Sequence, residues 1–271
     1  MDYKRLGTVI NKNIVLALVL LLSHNLTWAQ INKQEENKAQ TNQLPNFTPE
    51  QIEEFRNKMN EMLRTDFANL KRYRAKNDSI GLPAKNEDRI VFMGNSITDW
   101  WEPYWGIHFA GKPYVNRGIA GQTTAQMLIR FKPDVINLKP KVVVILAGIN
   151  DINGMTGPTT NDMIKDNISS MVEIAQSNGI KVVLSTLLPC YSIKGRSDLK
   201  PADRVVELNA WIKKYAKEKN CVYLDYFTPL ADENNGLKKE FTPDGVHPNK
   251  AGYDIMAPIV KNSIQKALNS K

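Results

Sequence analysis

Arg89-Ile90-Val91-Phe92-Met93-Gly94-Asn95-Ser96-Ile97-Thr98 is the stretch on which the fold turns. Its apolar run shows no alternation, as expected of a strand covered on both faces, and Gly94-Asn95 ends it abruptly ahead of Ser96. The same grammar returns at Val142-Val143-Val144-Ile145-Leu146-Ala147, which runs into Gly148-Ile149-Asn150-Asp151. Strands are predicted at 90–93, 113–116, 141–147, 180–187 and 222–225, and helices at about 122–131, 159–178, 201–218 and 249–268. Pro201 suits a first helical turn and Asn178-Gly179 a helix stop. Strand and helix alternating in this way imply an α/β fold: a parallel sheet with helices on both faces.

In open parallel sheets the binding crevice lies beyond the C-terminal strand ends. Ser96, Gly118 and Asn150 all follow predicted strands, so they should meet at that edge although they are far apart in the chain. Asp244-Gly245-Val246-His247-Pro248 adds a carboxylate and an imidazole in one short turn. A serine hydroxyl needs a base within hydrogen-bond reach, and an imidazole needs a partner to fix its tautomer. A three-residue spacing lets Asp244 face Nδ1 of His247 and leaves Nε2 for Ser96. The backbone N–H groups of Ser96 and Gly118 and the side-chain amide of Asn150 are candidate donors to an oxyanion. Together these are the parts for acyl transfer. Blander readings exist for each alone: Asp244 as a turn or helix-cap residue, Gly118 as a turn glycine, Asn150 as a turn former. His108 has no carboxylate at short spacing and reads as a packed or rim histidine, and Asp99 and Asp151 read as structural.

With these residues the chain resembles the SGNH hydrolases, also called the GDSL esterase/lipase family. Ser96, Gly118, Asn150 and His247 match the four residues that name the family, and Asp244 matches its aspartate. The similarity runs from about Leu70 to the C-terminus, and Asn69-Leu70-Lys71-Arg72-Tyr73-Arg74 resembles secreted bacterial members. The resemblance implies a flavodoxin-like three-layer α/β/α sandwich with a five-stranded parallel sheet, ester hydrolysis by a serine nucleophile, and no metal or cofactor. Asn95 departs from the pattern, which usually carries aspartate before the serine.

The N-terminal segment reads differently from the rest. Lys4, Arg5 and Lys12 precede an apolar run at 14–22, and Thr27-Trp28-Ala29 offers small residues around a cleavage point, the layout of a signal peptide over residues 1–29. The run falls well short of the roughly 20 residues that span a bilayer, so the expectation is export without stable membrane insertion. Residues 30–47, rich in Asn, Gln, Lys and Glu, read as a flexible leader. A hydrolase domain over 48–271 follows, opening with a helix at about 48–76 that starts at Thr48-Pro49-Glu50-Gln51 and packs on the domain. The formal charge of +8 comes from 36 basic and 28 acidic residues, but no basic run with interleaved aromatics suggests a nucleic-acid partner. Cys190 and Cys221 fall at opposite ends of predicted neighbouring strands and are expected to be free, unreactive thiols.

Trp100, Trp101, Tyr104 and Trp105 crowd the segment after Ser96. They read either as a stacking platform for sugar rings or as core and rim residues that pack the first helix. Export, aromatic density and short motif loops favour a short acyl ester, such as acetyl, on a polar carrier such as a glycan. A lipid acylhydrolase, of lysophospholipase or platelet-activating-factor acetylhydrolase type, is the second expectation. A non-catalytic glycan-binding module is the third.

Overall fold

Ile90–Gly94 forms strand β1, and every residue in it is buried, as its unbroken apolar pattern requires. The structure is a computed structural model that describes residues 49–193 and 199–270. The signal peptide and leader expected at 1–47 lie outside the described residues, as does Thr48. β1 pairs in parallel with β2 (Tyr114–Gly118) on one side and β3 (Val142–Leu146) on the other. β4 (Lys181–Ser185) and β5 (Val222–Leu224) complete a five-stranded sheet in the order β2-β1-β3-β4-β5, parallel throughout.

The chain divides into two compact units, residues 1–65 and 66–271. The described part of the first is helix α1, Pro49–Thr65. It does not continue to residue 76 as the sequence suggested. The carboxylate of Asp66 accepts the N–H groups of Leu70 and Lys71, and Asn69 takes a left-handed φ of 52°, so the chain turns there. A separate helix, α2, then covers Arg74–Ile80.

The step from β1 to β2 runs one way along the sheet, and the step from β2 to β3 runs the other. Right-handed crossovers therefore put the intervening helices on opposite faces. The first crossover carries α3 (Ser96–Asp99) and α4 (Glu102–Phe109), and the second carries α5 (Thr124–Asp134). After β3 come α6 (Ile149–Ile152) and α7 (Asn161–Ser177), after β4 α8 (Pro201–Glu218), and after β5 α9 (Phe227–Leu230) and α10 (Lys250–Asn269). α10 packs on β3, β4, β5 and α4, whereas α5 packs on α7 and α7 on α8, which gives the three layers of an α/β/α sandwich.

Two local features matter for the site. Thr123 caps α5, and the side chain of Gln126 accepts the Thr123 N–H at 3.0 Å, a reciprocal box worth about 1 kcal/mol. β2 extends through Arg117 and Gly118, beyond the end expected at 116. Arg117 is polar yet buried, because its guanidinium donates to Asn77 Oδ1 and lies 4.7 Å over the ring of Tyr73. In register, Gly94 stands level with Gly118 and with Leu146, so the segments after all three strands emerge at one edge.

Candidate active site

Ser96 opens α3 directly after β1, with one residue between them. Asn95 makes this sharp strand-to-helix turn possible: its Oδ1 accepts the Ile97 N–H at 3.0 Å as an N-cap. Asparagine therefore serves the cap at the position where aspartate is the usual residue. Its Nδ2 is buried without a hydrogen-bond partner among the described residues. From the opposite side, the buried Tyr253 on α10 donates its hydroxyl to Ile97 O at 2.8 Å and fixes the turn against that helix.

Ser96 is 5% exposed, and its Oγ lies 3.0 Å from His247 Nε2. Nδ1 of the same ring lies 2.6 Å from Asp244 Oδ2. The other oxygen of Asp244 accepts the backbone N–H groups of His247 at 2.8 Å and Val246 at 2.9 Å. Burial alone would raise the Asp244 pKa, but the hydrogen bond and charge of His247, together with these N–H groups, bring it down to about 2. Thr242 closes the loop by donating to His247 O at 2.7 Å and accepting from Gly245 N at 2.9 Å. Serine, imidazole and carboxylate thus form one hydrogen-bonded chain across 151 residues of sequence.

Gly118 requires a correction. Its N–H is taken by Asn116 Oδ1 at 2.8 Å, and its carbonyl accepts the Tyr73 hydroxyl, so it has no donor to offer a substrate. Its lack of a side chain serves packing instead: a Cβ there would stand 2.1 Å from the backbone N of Asp99. The glycine in the loop beyond β2 is Gly121, at φ 77°, and its N–H makes no hydrogen bond to another described residue. The sequence held the signal in the Gly121-Gln122-Thr123 approach to the α5 cap, but a strand ended two residues early drew attention to Gly118. Asn150 does reach this loop, donating from Nδ2 to Gln122 O at 2.9 Å. An amide nitrogen carries two hydrogens, so one N–H remains for another acceptor.

The four aromatic candidates separate. Trp100 lies against the His247 ring, with centroids 4.2 Å apart. Trp101 is 2% exposed, with its ring 5.0 Å from that of Tyr253, and cannot present a face to a sugar. Trp105 packs edge-on to Phe92 and Phe109 at 5.0 and 4.6 Å, and Tyr104 sits 5.7 Å from Tyr253. These three are core and rim residues holding α4 to the sheet and α10.

His108 is committed elsewhere. An indole N–H can only donate, so Trp101 Nε1, 2.7 Å away, makes His108 Nδ1 an acceptor and leaves the proton on Nε2, facing Asp254 at 2.9 Å. Asp151 accepts from Thr124 N at 2.9 Å and Thr124 Oγ1 at 2.5 Å, at the first turn of α5. Asp99 accepts from Ala120 N at 3.1 Å and pairs with Arg72 at 3.5 Å, holding the loop after β2. Cys190 and Cys221 are free, and burial pushes their thiols up to about 12 and about 11, away from thiolate reactivity. Among the described residues no group of three or more His, Cys, Asp or Glu side chains converges on a metal position, and no helix is long and apolar enough to cross a membrane.

Residues 92–255, from the middle of β1 into α10, match the GDSL-like Lipase/Acylhydrolase family. The chain belongs to this family. It is a family of carboxylic ester hydrolases, and the sandwich described above is its SGNH-hydrolase fold. The structure is similar to that of a GDSL-like lipase from Bacteroides thetaiotaomicron: 44% identity, 74% of this chain and 100% of that one, TM-score 0.72. Among curated proteins it resembles the uncharacterized lipoprotein YqeF of Bacillus subtilis, 33% identical over 88 residues, or 31% of this chain and 36% of YqeF. It also resembles the human platelet-activating factor acetylhydrolase IB subunit alpha2, 29% identical over 108 residues, or 38% of this chain and 45% of that one. The chain thus aligns with less than half the length of these two curated relatives.

Proposed function

We propose that the protein is an exported serine esterase that removes short acyl groups, acetyl first among them, from hydroxyls of a polar carrier such as a glycan. The observation that carries the catalytic reading is the Ser96–His247–Asp244 chain of hydrogen bonds at 3.0 and 2.6 Å. Ser96 Oγ attacks the ester carbonyl while His247 Nε2 takes its proton. Asp244 holds the ring with Nδ1–H toward itself and stabilises the imidazolium formed. The tetrahedral oxyanion is met by the Ser96 N–H, the Gly121 N–H and the remaining N–H of Asn150 Nδ2. As the first residue of a helix, Ser96 has no intrahelical acceptor for its N–H. Collapse of the intermediate expels the alcohol, which takes the proton from His247 and leaves an acyl-serine. Water, deprotonated by His247, attacks that ester and regenerates Ser96.

A polar carrier is favoured by Trp100, the one aromatic of its cluster that touches the catalytic ring and is partly open to solvent. The likeness to a protein named as an acetylhydrolase of platelet-activating factor supports a small acyl group and is the observation favouring the second reading, a lipid carrier. Export rests on the signal-like segment at 1–29.

Initial rates on p-nitrophenyl esters from acetate to palmitate, for the wild type and Ser96→Ala, test both parts. Acetate turnover that falls steeply with chain length and vanishes in Ser96→Ala is expected. A maximum at long chains moves the substrate to lipids, and turnover surviving in Ser96→Ala removes the catalytic assignment.

A further inference from the structure

Arg130 lies on α5 with no exposure to solvent, and its charge is therefore costly unless each part of the guanidinium is used. All three nitrogens are. Nη2 donates to Gly94 O at 3.0 Å, Nε donates to Gln122 Oε1, and Nη1 pairs with Asp134 Oδ2 at 3.0 Å. Asp134 balances the charge from the same helix. The other two contacts reach away from the helix, to the two chain segments between which the site is built.

Gly94 is the last residue of β1, two before the nucleophile, and its carbonyl also accepts the Ile119 N–H at 3.1 Å. Gln122 follows Gly121, and its own carbonyl receives Asn150 Nδ2 at 2.9 Å. Gln122 is itself buried, and its side-chain nitrogen donates to Ala68 O at 2.7 Å. One rigid, planar cation thus spans the nucleophile turn and the loop that carries Gly121 and receives Asn150 Nδ2. A lysine, with a single donor atom, cannot reach both acceptors in a fixed plane.

We infer that Arg130, acting through Gln122, is a positioning residue that sets the distance between the Ser96 turn and the Gly121–Asn150 oxyanion donors. This rests on the catalytic reading given above. Donors of this kind act on charge that develops only in the transition state, so a misplaced loop lowers kcat and leaves substrate binding little changed. Loss of a whole donor costs about 100- to 1,000-fold in kcat; a displaced donor retains part of that. The expected loss is at least about tenfold.

The test uses the full chain on p-nitrophenyl acetate. Arg130→Lys, Gln122→Met and the double variant are compared with the wild type, with folded active sites counted by end-point titration with a fluorophosphonate. The expected result is a kcat per titrated site at least about tenfold lower in each variant, with KM within about twofold. The double variant should be no worse than the poorer single one, because both remove one linkage. A merely structural role lowers the melting temperature and the number of titratable sites but leaves kcat per site intact, which overturns the proposal. So does failure of every variant to yield titratable enzyme, since the pair is then a folding element. Ser96→Ala separates the levels: turnover surviving there sinks the catalytic reading itself. An inactive Ser96→Ala beside an unchanged Gln122→Met sinks only the role of Arg130.

Discussion

The indole of Trp100 rests against the imidazole of His247, with ring centroids 4.2 Å apart and planes tilted by 38°. A neutral imidazole gains modest packing from this contact. An imidazolium gains more, because the indole face is electron-rich and, in the proposed mechanism, the ring becomes a cation as it takes the Ser96 proton. The contact is therefore strongest in the transition state. Trp100→Ala should lower kcat by about 2- to 30-fold, the range corresponding to about 0.5–2 kcal/mol for such a pair. Trp100→Phe should recover part of the loss. A defect confined to KM would instead make the indole a substrate platform with no part in the proton transfer.

Asp244 gives a second prediction, with the sign set by its pKa. Burial would raise that pKa, yet the bonds from His247 and Val246 hold it at about 2, below the ordinary carboxylate value of about 3.9. The native state therefore favours its ionised form. That contribution to stability is complete above about pH 4 and is lost as pH falls through about 2. Throughout any practical assay Asp244 stays charged. Asp244→Asn should cost about 1,000- to 10,000-fold in kcat, because an amide at this position can favour the wrong imidazole tautomer. A variant keeping more than a tenth of the wild-type kcat would remove Asp244 from the mechanism.

Asp151 behaves in the opposite sense. Burial raises its carboxyl to about 6 despite the hydrogen bonds from Thr124. Between about pH 4 and pH 6 the native state binds more protons at this site than the unfolded chain, so stability falls as pH rises through that window. Two units correspond to about 3 kcal/mol. Asp151→Asn keeps an oxygen for Thr124 and cannot ionise. Urea midpoints measured at pH 4.5 and pH 7.5 should therefore shift in favour of the variant by up to about 3 kcal/mol as pH rises. A difference independent of pH would show that the buried carboxyl does not titrate with folding.

The sheet was legible because β1 and β3 are buried on both faces and their sequences are unbroken apolar runs. The Ser96, Asp244 and His247 geometry was legible for a related reason. The serine follows a strand directly, and the other two share a turn too short to separate them. What escaped was written in partners distant in sequence. Arg117 and Gly118 look like loop residues, but Asn77 accepts from Arg117 Nε and Tyr73 donates to Gly118 O, and β2 continues through both. The segment 96–109 alternates aromatic and polar residues without a clear helical stripe. Its helices α3 and α4 depend on Tyr253, Phe92 and Phe109 for definition. Arg130 could not be distinguished from a surface arginine without knowing that Gly94 and Gln122 lie beneath it.

The two glycines near the site should separate folding from catalysis. At Gly118 a methyl group would meet Asp99 N at 2.1 Å and Asp99 Cα at 2.7 Å, both backbone atoms that cannot step aside without moving α3. Gly118→Ala should therefore reduce the yield of folded protein and the melting temperature sharply, by the kind of overpacking that costs about 1–3 kcal/mol or more. At Gly121 the φ of 77° is costly for any residue with a Cβ, by about 1–2 kcal/mol. The loop is expected to relieve that strain by turning its peptide and taking the Gly121 N–H out of line. Gly121→Ala should fold, lose no more than a few degrees of melting temperature, and lose about 100-fold in kcat on p-nitrophenyl acetate. Circular-dichroism melting and steady-state kinetics on the two variants would check this directly. Full activity in folded Gly121→Ala would return the oxyanion to Ser96 and Asn150 alone.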